Sequence, residues 1–215
     1  MPNRILLWFG ALSSLLWVGI DVLGATSWET YSYSSQTVSE MTAVDAPTRD
    51  LLTPFYVAYA FLLIGFGAGA FVSAGAKGRR IAGALLAAVG FVGLLQPFFP
   101  MHMRGAETGV TDIGHIVLGG TNVLFLILAI GFGAREFGQR FRYYSAATIL
   151  VMLVFGAWTG FIAPAIPAGQ PTPYLGLIER TIFVAFLLWI LLFSLALLRA
   201  TYGTSRSDTP GIVSD

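Results

Sequence analysis

Cysteine is missing from all 215 residues, which removes disulfides, thiolate metal sites and cysteine nucleophiles. Charge is scarce as well. Asp, Glu, Lys and Arg together make up 11% of the chain, against about 25% in an average soluble domain. A water-soluble globule, a disordered chain, a coiled coil and a nucleic-acid binder all need more charge than that. There is no Gly-rich phosphate loop, no Ser-His-Asp order and no kinase signature. The formal net charge of +1 points to no partner by itself. What is present is apolar: 56% hydrophobic residues and a mean hydropathy of +0.76 describe an integral membrane protein.

A bilayer core about 30 Å thick takes roughly 20 apolar residues at 1.5 Å each. Six runs are long enough: residues 5–25, 51–74, 81–99, 113–134, 143–163 and 177–198. None alternates as a barrel strand would, and open strands cannot satisfy their backbones in lipid. The fold class is therefore all-α, a six-transmembrane-helix bundle over residues 1–200, with residues 201–215 as a disordered tail. Six spans put both termini on one side. That side carries Arg4, Lys77, Arg79, Arg80, Arg135, Arg140, Arg142, Arg199 and Arg206; the other carries only Arg49, Arg104 and Arg180. Nine basic residues against three place both termini in the cytoplasm and make the protein multi-pass in the plasma membrane. A rival reading makes the first run, up to Gly24-Ala25, a cleaved signal peptide. Its length and its Asp21 favour retention as a span.

The cytoplasmic connections are short and basic. The outer ones, roughly 26–50, 100–112 and 164–176, are longer and hold most of the acids and most prolines, with both histidines in or just beside them, as elaborated functional loops do. Asp21 lies about 24 Å along the first helix from Ile5, just inside the outer boundary, where an ionisable residue is a functional-site candidate. Thr37 and Glu40 have capping-box spacing, which predicts a short helix from there to Pro47. This helix would turn Ser39 or Glu40 into the bundle mouth. Asp50 suits the start of the second span. Arg49 has no such reason to be there and is free to grip an anion.

Pro97 should end or kink the third helix. Beyond it stand His102 and Arg104, and then Asp112 and His115, which share a helical face. Two imidazoles and a carboxylate suit zinc or a similar divalent metal. The competing structural reading makes Asp112 an N-cap that also holds His115. Glu179 and Arg180 open the sixth span; Glu179 complements the helix dipole, and Arg180 must snorkel or pair inward with Glu40, Asp112 or Glu179. Asn122 reads as a contact between helices, as do Gly65, Gly67 and Gly69 in the second span and Gly156 with Gly160 in the fifth. The aromatic residues read mostly as lipid-facing or interfacial.

Ser39-Glu40 followed by Ala46-Pro47 and Arg49, Phe99-Pro100 leading to His115, and the Gly176-x-x-Glu179-Arg180 start of the last helix resemble the DUF998 family of prokaryotic membrane proteins. The resemblance covers essentially the whole chain and implies six helices without implying a reaction. More remotely, the Ser-Glu segment and the later His are similar to the Frag1/DRAM/Sfk1 type of six-span protein, which implies lipid-related biology. The stretch from Met101 to Arg104 departs from the acidic or Cys-containing one common in DUF998, so no family-wide metal site is implied.

Several functions fit these residues. The least demanding is an extracytoplasmic site for a membrane lipid, isoprenoid or other amphiphile, its head among Ser39, Arg49, Arg104, Glu179 and Arg180 and its tail between helices. An intramembrane enzyme is the alternative. In one form, His102, Asp112 and His115 hold a metal whose water attacks an ester, amide or phosphate with Glu40 as base. In the other, Glu40 or Asp21 protonates an isoprenoid double bond, and aromatic faces stabilise the cation. A transporter is a third reading, weakened because the acids gather at one face rather than the midplane. A structural partner subunit is the last, and a homo-oligomer is compatible with all of these.

Overall fold

The computed structural model describes residues 2–73 and 75–207. Among them the chain is helical with no strand. Six helices are long and apolar enough to cross a membrane: α1 (Pro2–Ser27), α2 (Arg49–Val72), α3 (Lys77–Leu95), α4 (Val110–Gly133), α5 (Gly138–Ile162) and α6 (Leu175–Ser207). Short 3-10 turns cover Ser39–Thr42, Gln96–Phe98 and Ala163–Ala165. Pro97 lies in the second of these, so α3 stops where the missing N–H and ring crowding require. Helices α3, α4 and α5 begin before the apolar runs do, because residues such as Lys77 and Arg140 keep helical geometry while their charges reach the interface. Helix α6 continues into the start of the expected tail; residues 208–215 of that tail lie outside the described residues.

Inside the spans, several hydroxyls return to the helix that carries them. Ser145 Oγ donates to the Phe141 carbonyl at 2.8 Å and Thr148 Oγ1 to Tyr144 at 3.0 Å, which keeps a polar side chain satisfied without water. Others tie helices together. Ser194 of α6 donates to the Leu7 carbonyl at 2.6 Å, and Ser14 of α1 donates to the Leu187 carbonyl at 3.0 Å.

The helices form an incomplete ring in the order α5, α6, α1, α2, α3, α4, with little contact between α4 and α5. Helices α2 and α3 touch backbone to backbone: a Cβ at Gly83 would lie 2.5 Å from the Phe71 nitrogen, and one at Gly90 2.6 Å from the Ala60 carbonyl. Gly65 and Gly69 receive Phe9 and Leu6 of α1, so the glycines of α2 are contact sites as expected. Gly156 and Gly160 are not. A Cβ at either would meet nothing within 4 Å, because α5 turns that side away from the other helices. The core is aromatic, with Trp189 stacked on Phe193 at 4.6 Å and Phe193 edge-on to Phe66.

Arg4 Nη2 donates to the Thr201 carbonyl at 3.4 Å, so α1 begins and α6 ends on one face, the basal face. Segments 28–48, 99–109 and 166–174 gather on the opposite loop face.

Candidate functional site

The three loops lock into one another. The Val44 N–H donates to the Met101 carbonyl at 2.8 Å, and the Gly105 N–H to the Ile166 carbonyl at 3.1 Å. Thr172 Oγ1 reaches the Ser35 carbonyl at 2.9 Å. Trp28, Ala43 and Ala46 make a small apolar core of the first loop, against which Met101 and Met103 pack. Beneath it, Met41 is fully buried with Ile20 and Leu52.

At the centre, Arg180 of α6 meets Asp21 of α1. Nη2 lies 2.9 Å from Oδ1, and Nε donates to both carboxylate oxygens at 3.0 and 3.1 Å. Each residue is 5% exposed. A buried carboxylate needs its remaining lone pairs filled, and the Tyr33 hydroxyl donates to Asp21 Oδ2 at 2.7 Å. The rest of the guanidinium is spent on the first loop and its own helix: Nη1 on the carbonyls of Tyr33 and Gln36 and of Gly176 in α6, Nη2 on the Tyr31 hydroxyl at 2.8 Å. Its carbon stands 3.7 Å from the Tyr33 ring centre, a cation–π contact. Arg180 therefore pairs with Asp21, not with Glu40, Asp112 or Glu179.

Glu40 forms the second node. Arg104 Nε and Nη2 grip its two oxygens at 3.1 Å each, the two-point geometry that makes Arg–carboxylate pairs directional. Glu40 Oε2 also accepts the Thr37 N–H at 2.8 Å, while Thr37 Oγ1 accepts the Glu40 N–H at 3.3 Å. The capping box predicted for these residues is present. It starts only the turn Ser39–Thr42, and the chain is extended by Ala43 and in positive φ at Asp45, so no helix reaches Pro47. Ser39 is half-buried, and its carbonyl accepts the Thr42 hydroxyl at 3.4 Å. Glu179 accepts the Val38 N–H. Arg104 Nη1 continues to the Gln170 carbonyl at 3.0 Å, so one side chain joins all three loops.

The third node contains His102 and Asp112. Asp112 Oδ2 lies 2.6 Å from His102 Nδ1, its Oδ1 accepts the His102 N–H at 2.7 Å, and Oδ2 also accepts the Gly109 N–H at 2.7 Å. Because α4 begins at Val110, Asp112 is its third residue rather than its N-cap. His115 does not join. Its Nδ1 lies 3.1 Å from the Phe99 carbonyl, drawn there because the chain after Pro97 leaves that acceptor unpaired by helix. The expected set of His102, Asp112 and His115 is therefore not gathered, and among the described residues no three His, Cys, Asp or Glu side chains form a group able to hold a metal. Arg49 is half-buried and takes part in none of the described ion pairs.

Tyr31, Tyr33, Gln36, Gln170 and Gly176 belong to the site although the sequence did not single out their parts in it. Gly176 has a steric reason: a Cβ there would strike the Tyr33 and Gln36 carbonyls. Burial raises the Tyr31 phenol well above its ordinary range despite the Arg180 contact. The Tyr33 phenol is raised too, by burial first and then by its bond to Asp21. Both act as hydroxyl donors. Glu40 and Asp21 have their acceptors committed to arginine and to the loop, so the network holds the loop face shut over the bundle. His102 is the more open group: its side chain is 32% exposed, with Nδ1 held by Asp112.

Residues 11–196 match the family DUF998, described as a protein of unknown function, and the chain belongs to that family. No curated protein and no solved structure matches the chain.

Proposed function

We propose that this member of the DUF998 family binds a membrane lipid or similar amphiphile at its loop face, with the chain in a cleft between α5 and α6. The cleft carries the proposal. It has a volume of about 230 Å³ and is lined by Phe155, Trp158, Ile162, Tyr174, Leu177 and Ile178, among others. Its walls are nearly all apolar and aromatic, the chemistry that accepts an acyl or isoprenoid tail. Tyr174 and Trp158 are exposed at its rim, where amphipathic rings mark a membrane interface. The segment that closes its upper end contains Gln170, whose carbonyl holds Arg104. Arg104 is thereby tied to the segment that runs into the cleft at Pro173 and Tyr174. Arg180 is spent on Asp21, so its part is to position the first loop. On charge bias, the loop face is extracytoplasmic and the membrane is the plasma membrane.

The test fills the cleft. Thr181 lines it, and Thr181→Trp should cut the amphiphile retained through purification several-fold while leaving the melting temperature unchanged. Undiminished retention in a folded Thr181→Trp protein would sink the proposal.

A second reading, that the protein acts on such an amphiphile, draws support from one observation. Asp112 holds His102 Nδ1 at 2.6 Å on a side chain 32% exposed, as a carboxylate orients a general-base imidazole. Product formed from a supplied phospholipid by the native protein, and lost in His102→Ala, would decide for it.

A further inference from the structure

On the basal face a cleft of about 300 Å³ lies where α4 hands over to α5, lined by Arg135, Gly138, Gln139, Arg142 and Tyr143. We infer that it binds a phosphate-bearing anionic headgroup. Two guanidinium groups share this volume, and neither forms an ion pair among the described residues. No carboxylate lines the cleft, and α5 has no acid in its first turn. The neighbouring acid, Glu136, is turned elsewhere: its side chain is 6% exposed and pairs with Arg79 at 3.4 Å. The protein therefore neutralises Arg79 from within and leaves Arg135 and Arg142 to an outside anion.

Phosphate fits better than a simple carboxylate because it has acceptor oxygens enough for two planar forks at once. Other donors surround the cleft. Gln139 Nε2 donates to the Tyr143 hydroxyl at 2.8 Å, which leaves the phenolic O–H free to donate in turn. Residue 137 supplies no side-chain cap to α5, so the first N–H groups of that helix also lack a side-chain acceptor. Basic residues needed only to orient the chain in the membrane could be scattered. Arg80 and Arg199 are such exposed cations outside the cleft. The convergence of Arg135 and Arg142 on one concave space is what topology alone does not require. The site is on the face opposite the amphiphile cleft and does not depend on it.

The experiment measures binding of the full-length protein in mild detergent to phosphatidylglycerol against phosphatidylcholine. The native protein should prefer phosphatidylglycerol, and R135Q/R142Q should weaken that binding by about tenfold or more. K77Q/R80Q removes the same charge from the same face outside the cleft and should leave affinity within about twofold. Equal losses in the two double variants, or no preference for phosphatidylglycerol in the native protein, would overturn the inference. Competition by inorganic phosphate would identify a soluble phosphoanion as the source; its absence would identify a bilayer lipid. If R135Q/R142Q fails to fold, Gln139→Glu places a carboxylate in the cleft on an exposed position. It should also reduce binding, and native affinity in that variant overturns the site.

Discussion

Arg180 and Asp21 are 159 residues apart in the chain, yet Nη2 of one lies 2.9 Å from Oδ1 of the other. Their helices are neighbours in the ring, and neither side chain has appreciable contact with water. Such a pair gains little over apolar packing when intact but is costly to break, since one partner alone is a buried, unpaired charge. The pair also organises the first loop, because the same guanidinium holds that loop's carbonyls and a tyrosine hydroxyl.

Asp21→Ala should therefore lower stability by about 3–5 kcal/mol, read from denaturation in detergent. Tyr33→Phe leaves the ion pair and removes one donor to a charged group, for about 1.5–3 kcal/mol. Replacing both charges, as in Asp21→Leu with Arg180→Met, should recover much of the single-variant loss. An Asp21→Ala protein as stable as the native one would refute the clasp.

Glu40 and Arg104 differ in their access to water, with side chains 1% and 23% exposed. Arg104→Ala strands a buried carboxylate, whereas Glu40→Gln keeps an acceptor for the Thr37 N–H and leaves Arg104 able to reach solvent. Arg104→Ala should be the more damaging change by about 1–2 kcal/mol. Hydrogen exchange over residues 35–42 should rise more in that variant; the reverse order would mean Glu40 is held mainly by Thr37.

The phenols of Tyr31 and Tyr33 are raised by burial, so they hold their protons more tightly folded than unfolded. Their contribution is complete below about pH 10 and is lost as pH rises above it, because the unfolded chain then releases protons the native state keeps. Denaturation midpoints should fall above that pH. The fall should be shallower in Tyr31→Phe.

Since His115 faces the Phe99 carbonyl, His115→Ala should leave the zinc content of protein purified without chelator unchanged. His102→Ala should cost only about 1 kcal/mol, as Asp112 keeps the N–H groups of residues 102 and 109. Zinc bound by the native chain and lost in His115→Ala would restore the three-ligand site, whose side chains are not gathered here.

The spans were legible because length and apolarity alone decide them, and the capping box because it is local. Pairings between helices were not. Glu179 adjoins Arg180 in sequence, but consecutive helical positions face different ways, so it turns to Val38 instead. Asp21 becomes the partner only once α1 and α6 are known to be neighbours. Tyr31 and Tyr33 read as interfacial rings because nothing in their spacing announces a guanidinium above them. Glycine spacing was equally ambiguous, since a small-residue pair looks the same whether or not a helix covers it.

That ambiguity gives the sharpest contrast between variants. A Cβ at Gly83 would press on the Phe71 backbone nitrogen at 2.5 Å, and one at Gly67 on the backbone of Ala87. Backbone cannot rotate aside as a flexible side-chain end can, so relief requires α2 and α3 to separate along their shared contact. Gly83→Ala and Gly67→Ala should each cost about 1–3 kcal/mol. At Gly156 the same methyl meets open space, and alanine has the higher helix propensity, so Gly156→Ala should leave stability unchanged or slightly raised. Thermal melts of the three variants in one detergent check the order. A Gly156→Ala loss as large as that at Gly83 would mean that α5 is covered by something beyond this chain.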